Sequence, residues 1–226
     1  ETEGLLRWAQ PEAIYHLAAV AFGPDVQRSP AEALDITIGG TLNVLGAAAA
    51  LDTPPVVFIP SSGEIYGRPT TRRVLSESDP MTPVSAYGST KAAQELVAFA
   101  YHHAGVLPII VARAFNHIGP GQREAFVVAS FAKQLADIRA GRQNPVLRVG
   151  NLAPERDFTD VRDVVAAYRL VVAGNHAGMI FNVASGTAVS IRTILDKLIA
   201  LSGLEVRVEV DESRIRSVDP PRIVGN

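Results

Sequence analysis

The chain has 226 residues, 47% of them hydrophobic, and a formal net charge of -2 from 21 Lys and Arg against 23 Asp and Glu. That length buries a sizeable core, and bases scattered along a near-neutral chain leave no electrostatic footprint for nucleic acid or an anionic membrane, so neither is expected as a partner. The absence of cysteine removes disulfides and thiolate chemistry and suits a cytoplasmic location. The histidines, His16, His102, His103, His117 and His176, are dispersed apart from one adjacent pair, and no metal site is expected. No apolar run reaches the length of a membrane span, and the opening "ETEGLLRWAQ" begins with acids where a signal peptide has bases.

In chain order, the opening reads as the last turns of a helix, and "AIYHLAAV" (13 to 20) is a continuous apolar run of the kind buried on both faces of a parallel sheet. Residues 30 to 51 predict a long helix with Ser29 as N-cap and Pro30 at its first position. "PVVFIPSS" is a second buried strand. A helix from "SAYGSTK" stops at Gly105, and "PIIVARAF" is a third strand. Beyond residue 120 the pattern predicts helices in "EAFVVASFAKQLADIRAG", "VRDVVAAYRLVVAG" and "IRTILDKLIALSG". Strands are expected in "PVLRVG" and "MIFNVAS", and "NLAPERD" reads as turn-rich. Strands alternating with helices indicate βαβ units, hence an α/β doubly wound parallel sheet. We expect a dinucleotide-binding part over residues 1 to 120 and a smaller, mainly substrate-binding α/β lobe over 121 to 226, with some segments returning to the first sheet.

In such a sheet ligands bind beyond the carboxyl ends of the strands, which is where Ser61 and Ser62 fall. A serine pair alone is more readily a turn or cap than a site. Tyr87 and Lys91 add to it: four apart on a helix, they share a face, and an ammonium beside a phenol would lower the phenol's pKa from about 10. The chain has only three lysines (Lys91, Lys133, Lys197), which makes the spacing more informative. Tyr87, Ser62 and Lys91 could then serve one carbonyl or alcohol oxygen as proton donor, hydrogen-bond partner and tuning cation.

Ser62 at a strand end, Tyr87-Gly88-Ser89-Thr90-Lys91 and "HLAA" at 16 to 19 resemble the extended short-chain dehydrogenase/reductase superfamily, in its branch acting on nucleotide sugars. "RAFNHIGPGQ", "FVVASFAKQLADIRAG" and "VGNLAPERDFTDVRDVVAAY" are similar to GDP-mannose-pathway enzymes, GDP-4-dehydro-6-deoxy-D-mannose reductases above all. The resemblance implies a Rossmann fold, NADP or NAD as cofactor, a GDP-sugar substrate and a homodimer paired through the helices at 30 to 51 and 86 to 104. It makes Tyr87 the catalytic acid/base, with Ser62 and Lys91 as its partners. Cofactor contacts are implied for Leu17, Ala18, Ala19, Ser61, Tyr87, Lys91 and His117. Substrate contacts are implied for Asn116, Lys133, Arg156, Arg216 and Arg222, and Asp160 and Arg162 belong to the motif after the substrate loop. For Asp160 a helix N-cap is an equal reading.

Two features depart from the pattern. Glu64 stands where related 4,6-dehydratases carry a proton-abstracting glutamate, but Gly63 replaces their small polar residue or aspartate, so reductase and dehydratase chemistry both stay open. The superfamily's glycine-rich pyrophosphate turn is not found, and the sequence reads as a fold lacking its N-terminal βα units. That leaves a non-catalytic nucleotide-sugar binding protein as a third reading.

Overall fold

A computed structural model describes residues 1–69, 73–174, 176–215 and 219–226. Helix α1 (Thr2–Ala9) leads into strand β1 (Ala13–Tyr15), followed by α2 (Gly23–Arg28) and α3 (Pro30–Leu34). α3 continues through a π turn (Asp35–Gly39) into α4 (Gly40–Ala49), so the single helix expected at 30 to 51 is present with a wide turn at its centre. β2 (Val56–Ser62) runs into a 3-10 turn (Gly63–Tyr66). α5 (Ala86–His103), β3 (Ile109–Ala114), β4 (Asn116–Ile118) and α6 (Val127–Arg139) come next. Then follow β5 (Val146–Val149), β6 (Glu155–Asp160), α7 (Val161–Ala173), β7 (Ile180–Val183), β8 (Ala188–Ser190), α8 (Ile191–Ser202), β9 (Arg207–Val210) and β10 (Arg222–Ile223).

The main sheet is parallel in the order β1-β2-β3-β7. Its two central strands are apolar apart from Arg113 in β3 and the serines that end β2, and alternation decides which face each side chain serves. Val57, Ile59, Ile109 and Val111 pack with Leu45, Ala48 and Ala98 of α4 and α5 on one face. Phe58, Ile110 and Ala112 pack with Val164, Tyr168 and Val171 of α7 on the other. Helices on both faces of a parallel sheet make the doubly wound arrangement. Away from it, β10-β6-β4 form a second sheet with β8 antiparallel to β6, β5 pairs with β9, and α6 and α8 share a core with β5 through Phe131, Leu135, Leu147 and Leu195.

Several expectations need correction. The first strand ends at Tyr15 rather than at residue 20, although His16 N–H still donates to Phe58 O. Residues 155 to 157, read as turn, begin β6. The sequence there is polar, but Arg156 and Asp157 are buried by pairing: Asp157 accepts from the backbone of Ser185 and Gly186 and from the Ser185 hydroxyl. β4, β8, β9 and β10 have two to four residues each, too few to show a period.

Arg113, on β3, faces α5 rather than solvent. Its Nη2 donates to Glu95 Oε2 at 2.9 Å with both partners buried, and Nη1 donates to Tyr66 Oη at 2.9 Å and to Glu77 O at 3.0 Å. Tyr66 in turn donates to Asn182 Oδ1 at 2.7 Å on β7. Removing one member leaves the other charge buried and uncompensated. Arg113→Met or Glu95→Leu alone is expected to lower unfolding stability by about 3–5 kcal/mol, and the double variant to recover most of that loss, as read from urea-denaturation midpoints.

Candidate active site

β2 and β3 end side by side, Ser61 opposite Arg113 and Ser62 opposite Ala114, and a cleft of about 360 Å³ opens just beyond them. Pocket formation at the carboxyl ends of parallel strands follows from the chain turning away there into helices. Ser62 is the N-cap of the 3-10 turn, its Oγ accepting from Glu64 N–H at 3.2 Å. α5 begins across from that turn with Ser85 as N-cap, accepting from Gly88 N–H at 3.0 Å and donating to Glu64 Oε2 at 3.0 Å. Close approach of the two turns depends on Gly88, where an added Cβ would lie 2.8 Å from Glu64 O. Tyr87, at the start of the helix, and Lys91, one turn on, thereby share the cleft with Ser62 and Glu64.

Of the residues for which the resemblance implied cofactor or substrate contacts, Leu17, Ala19, Ser61, Asn116, His117 and Arg156 also line the cleft, and Ala18 does not. Ser61 Oγ is buried and makes no hydrogen bond among the described residues. His117 Nδ1 lies 3.1 Å from Phe115 O, which can only accept, so that nitrogen carries the proton. Arg156 is held by Asp219, 2.5 Å away and also on the cleft wall. Two substrate candidates are not brought in. Lys133 is drawn along its own helix to Asp137, and Arg222 is paired at 2.9 Å with Glu155 outside the lining. Arg216 lies outside the described residues. Asp160 is the N-cap of α7, accepting from Arg162 N–H at 2.8 Å, and Arg162 pairs with it at the surface. The sequence reading did not single out Tyr168, Phe115, Phe126 or Asp219, which complete the wall. Tyr168 was legible as an aromatic on the apolar side of α7.

The electrostatics correct one expectation. Lys91 does not draw the Tyr87 phenol down: burial pushes that phenol up to about 12, a hydrogen bond with Ser62 opposes the rise, and the Glu64 carboxylate adds to it. The Lys91 ammonium instead donates to Gln94 Oε1 at 2.6 Å, and burial brings it down to about 8 against the opposing pull of Glu95. A phenol in this state is a proton donor at neutral pH, not a nucleophile.

The fold and this cleft define an α/β protein of the extended short-chain dehydrogenase/reductase class. Within it, the family described as GDP-mannose 4,6-dehydratase matches residues 1–222, and the chain belongs to that family. The chain is 35% identical over 217 residues to the GDP-6-deoxy-D-mannose reductase of Pseudomonas aeruginosa, covering 96% of this chain and 71% of that one. It is 27% identical over 225 residues to the GDP-6-deoxy-D-talose 4-dehydrogenase of Aggregatibacter actinomycetemcomitans, covering 99% and 73%. Among solved structures, RMD from Pseudomonas aeruginosa complexed with NADPH superposes with a TM-score of 0.89 at 34% identity, covering 96% of this chain and 72% of that one. The UDP-glucose 4-epimerase of Thermus thermophilus in complex with NAD gives 0.88 at 26% identity, covering 100% and 72%.

A buried ammonium whose folded-state pKa is depressed binds fewer protons than the unfolded chain between about pH 8 and 10.5, so stability should rise with pH across that window. Lys91→Met removes this dependence. The stability difference between Lys91→Met and the parent is expected to shift in the parent's favour by up to about 3 kcal/mol from pH 8 to 10.5, measured by denaturant unfolding of the ligand-free protein. Equal pH slopes in the two proteins would refute the assignment.

Proposed function

We propose that the protein reduces the C4 keto group of a GDP-linked 4-keto-6-deoxyhexose, giving GDP-D-rhamnose from GDP-4-dehydro-6-deoxy-D-mannose, with NADPH or NADH. The observation that carries this is the convergence of Tyr87, Ser62 and Lys91 on one cleft at the sheet edge, in a chain similar to a reductase of that substrate class. The residues present fit a nicotinamide cofactor: Ser61 offers a buried hydroxyl without a partner in the described chain, and Leu17, Ala19, Lys91 and His117 line the same wall. When bound, the cofactor supplies the hydride. Tyr87 O–H donates a proton to the developing alkoxide, Ser62 Oγ hydrogen-bonds the same oxygen, and the Lys91 ammonium offers its remaining protons to the ribose hydroxyls and places positive charge near the phenol as it ionises. Arg156 and Asn116 are the candidates for the substrate's diphosphate and sugar, with Asp219 holding the guanidinium until the diphosphate replaces it.

Gly63 and Glu64 bear on the choice of reaction. A Cβ at Gly63 would lie 3.0 Å from the Phe115 ring, so the polar side chain expected of a dehydratase would displace that ring. Glu64, for its part, accepts from the N-cap hydroxyl of α5, a structural task. Both favour the reductase. We further propose a homodimer through the two long helices, where Leu34, Ile36, Leu42 and Leu96 are exposed.

Supplied with GDP-4-dehydro-6-deoxy-D-mannose and NADPH, the protein is expected to oxidise the cofactor and release GDP-rhamnose. Water release from GDP-mannose, with a keto sugar formed and no reductant added, would overturn the reading in favour of the dehydratase. Tyr87→Phe is expected to lower kcat by about 10²–10⁴-fold with substrate affinity nearly unchanged, in single-turnover and binding measurements.

A further inference from the structure

Lys91 is tethered by residues that neither the motif nor the family resemblance points to. Gln94 stands three residues later on α5, on the same helical face, and is fully buried. Its Oε1 accepts from Lys91 Nζ at 2.6 Å, and its Nε2 donates to Thr41 Oγ1, on α4, at 2.9 Å. Thr41 Oγ1 donates its single proton to Thr37 O in the π turn, at 2.6 Å. The oxygen must therefore accept from its other neighbours, and His16 Nε2, 2.9 Å away, is the second donor. This count fixes the His16 tautomer with hydrogen on Nε2. It also fixes the Gln94 amide: with its nitrogen committed to Thr41, only its oxygen can face the ammonium. A turned amide would set N–H groups against Nζ and leave Thr41 Oγ1 short of a donor. Every member of the chain is buried.

Of the charged and titratable groups around Lys91, Glu95 also favours its charged form, but through space rather than by holding the ammonium. Glu95, next on α5, has both oxygens engaged by Arg113 of β3. His16, beyond β1, is kept neutral by burial and by the Lys91 charge itself. Tyr87, Glu64 from the 3-10 turn and Tyr168 from α7 face the cleft.

We propose that Gln94, oriented by Thr41 and His16, is the positioning residue that holds the Lys91 ammonium at the cleft wall and sustains its protonation. The relevance to turnover rests on the role given to Lys91 above, but the tether itself is testable without substrate or cofactor. Because the chain has only three lysines, ¹³Cε-lysine labelling yields signals for Lys91, Lys133 and Lys197 alone, and Lys91→Arg identifies the one that matters. In the ligand-free protein, Gln94→Leu is expected to move the Lys91 titration midpoint down by about half a pH unit or more, and Gln94→Glu to move it up. Thr41→Val, which frees the amide, should move it in the same direction as Gln94→Leu. Midpoints in Gln94→Leu and Gln94→Glu that coincide with the parent's overturn the proposal, whatever their thermal stabilities. If the midpoints move as expected while the pH dependence of NADPH-linked turnover stays fixed, the tether stands and the assignment of Lys91 as a working group falls.

Discussion

The pairing of Arg113 with Glu95 is the constraint on which the site depends, because it joins the middle of the sheet to the helix that carries Tyr87 and Lys91. A guanidinium inside a strand that is otherwise apolar is costly unless all its donors are met. Here each of its three nitrogens is engaged, by one carboxylate, one phenol and one carbonyl, from α5, the 3-10 turn and the segment leading to α5. Tyr66 passes the connection on to Asn182 of β7, and Asn182 N–H donates to Glu77 Oε1, closing the ring of contacts. The bridge lies directly behind the ends of β2 and β3, so a buried ion pair braces the floor of the cleft.

On that floor Tyr87 and Lys91 sit in states set by burial more than by one another. Burial raises the phenol and lowers the ammonium, so Tyr87 holds its proton more tightly than it would in water and Lys91 less tightly. In the reduction proposed above, proton donation from Tyr87 to an alkoxide would need positive charge supplied at the moment of reaction, which a lysine held in place by a directed amide would give without rearrangement. Glu64, close enough to oppose ionisation of the phenol, is occupied at the start of α5.

Much of this could be read from the residues in order. The continuous apolar runs of β2 and β3 declared a sheet covered on both faces, and the four-residue spacing of Tyr87 and Lys91 announced a shared helical face. What escaped was polarity buried by distant partners. β6 looked like a turn because Arg156 and Asp157 find their partners in segments far along the chain. The resemblance implied a substrate contact for Lys133, and a sequence does not say which of two anions, a neighbouring Asp137 or a ligand, a lysine will reach. Gln94 carried the right spacing from Lys91 to be noticed, but its significance lay in Thr41, on another helix and 53 positions away.

Gly88 shows how far the influence of a residue can run from its chemistry. With no carbon beyond Cα, it lets the first turn of α5 rest on the carbonyl of Glu64, and that contact gauges the gap between acid and hydroxyl. Even a methyl would wedge the two turns apart. In a survey of substitutions, position 88 would therefore look like part of the reacting machinery, intolerant of every replacement, although it offers a substrate nothing to touch.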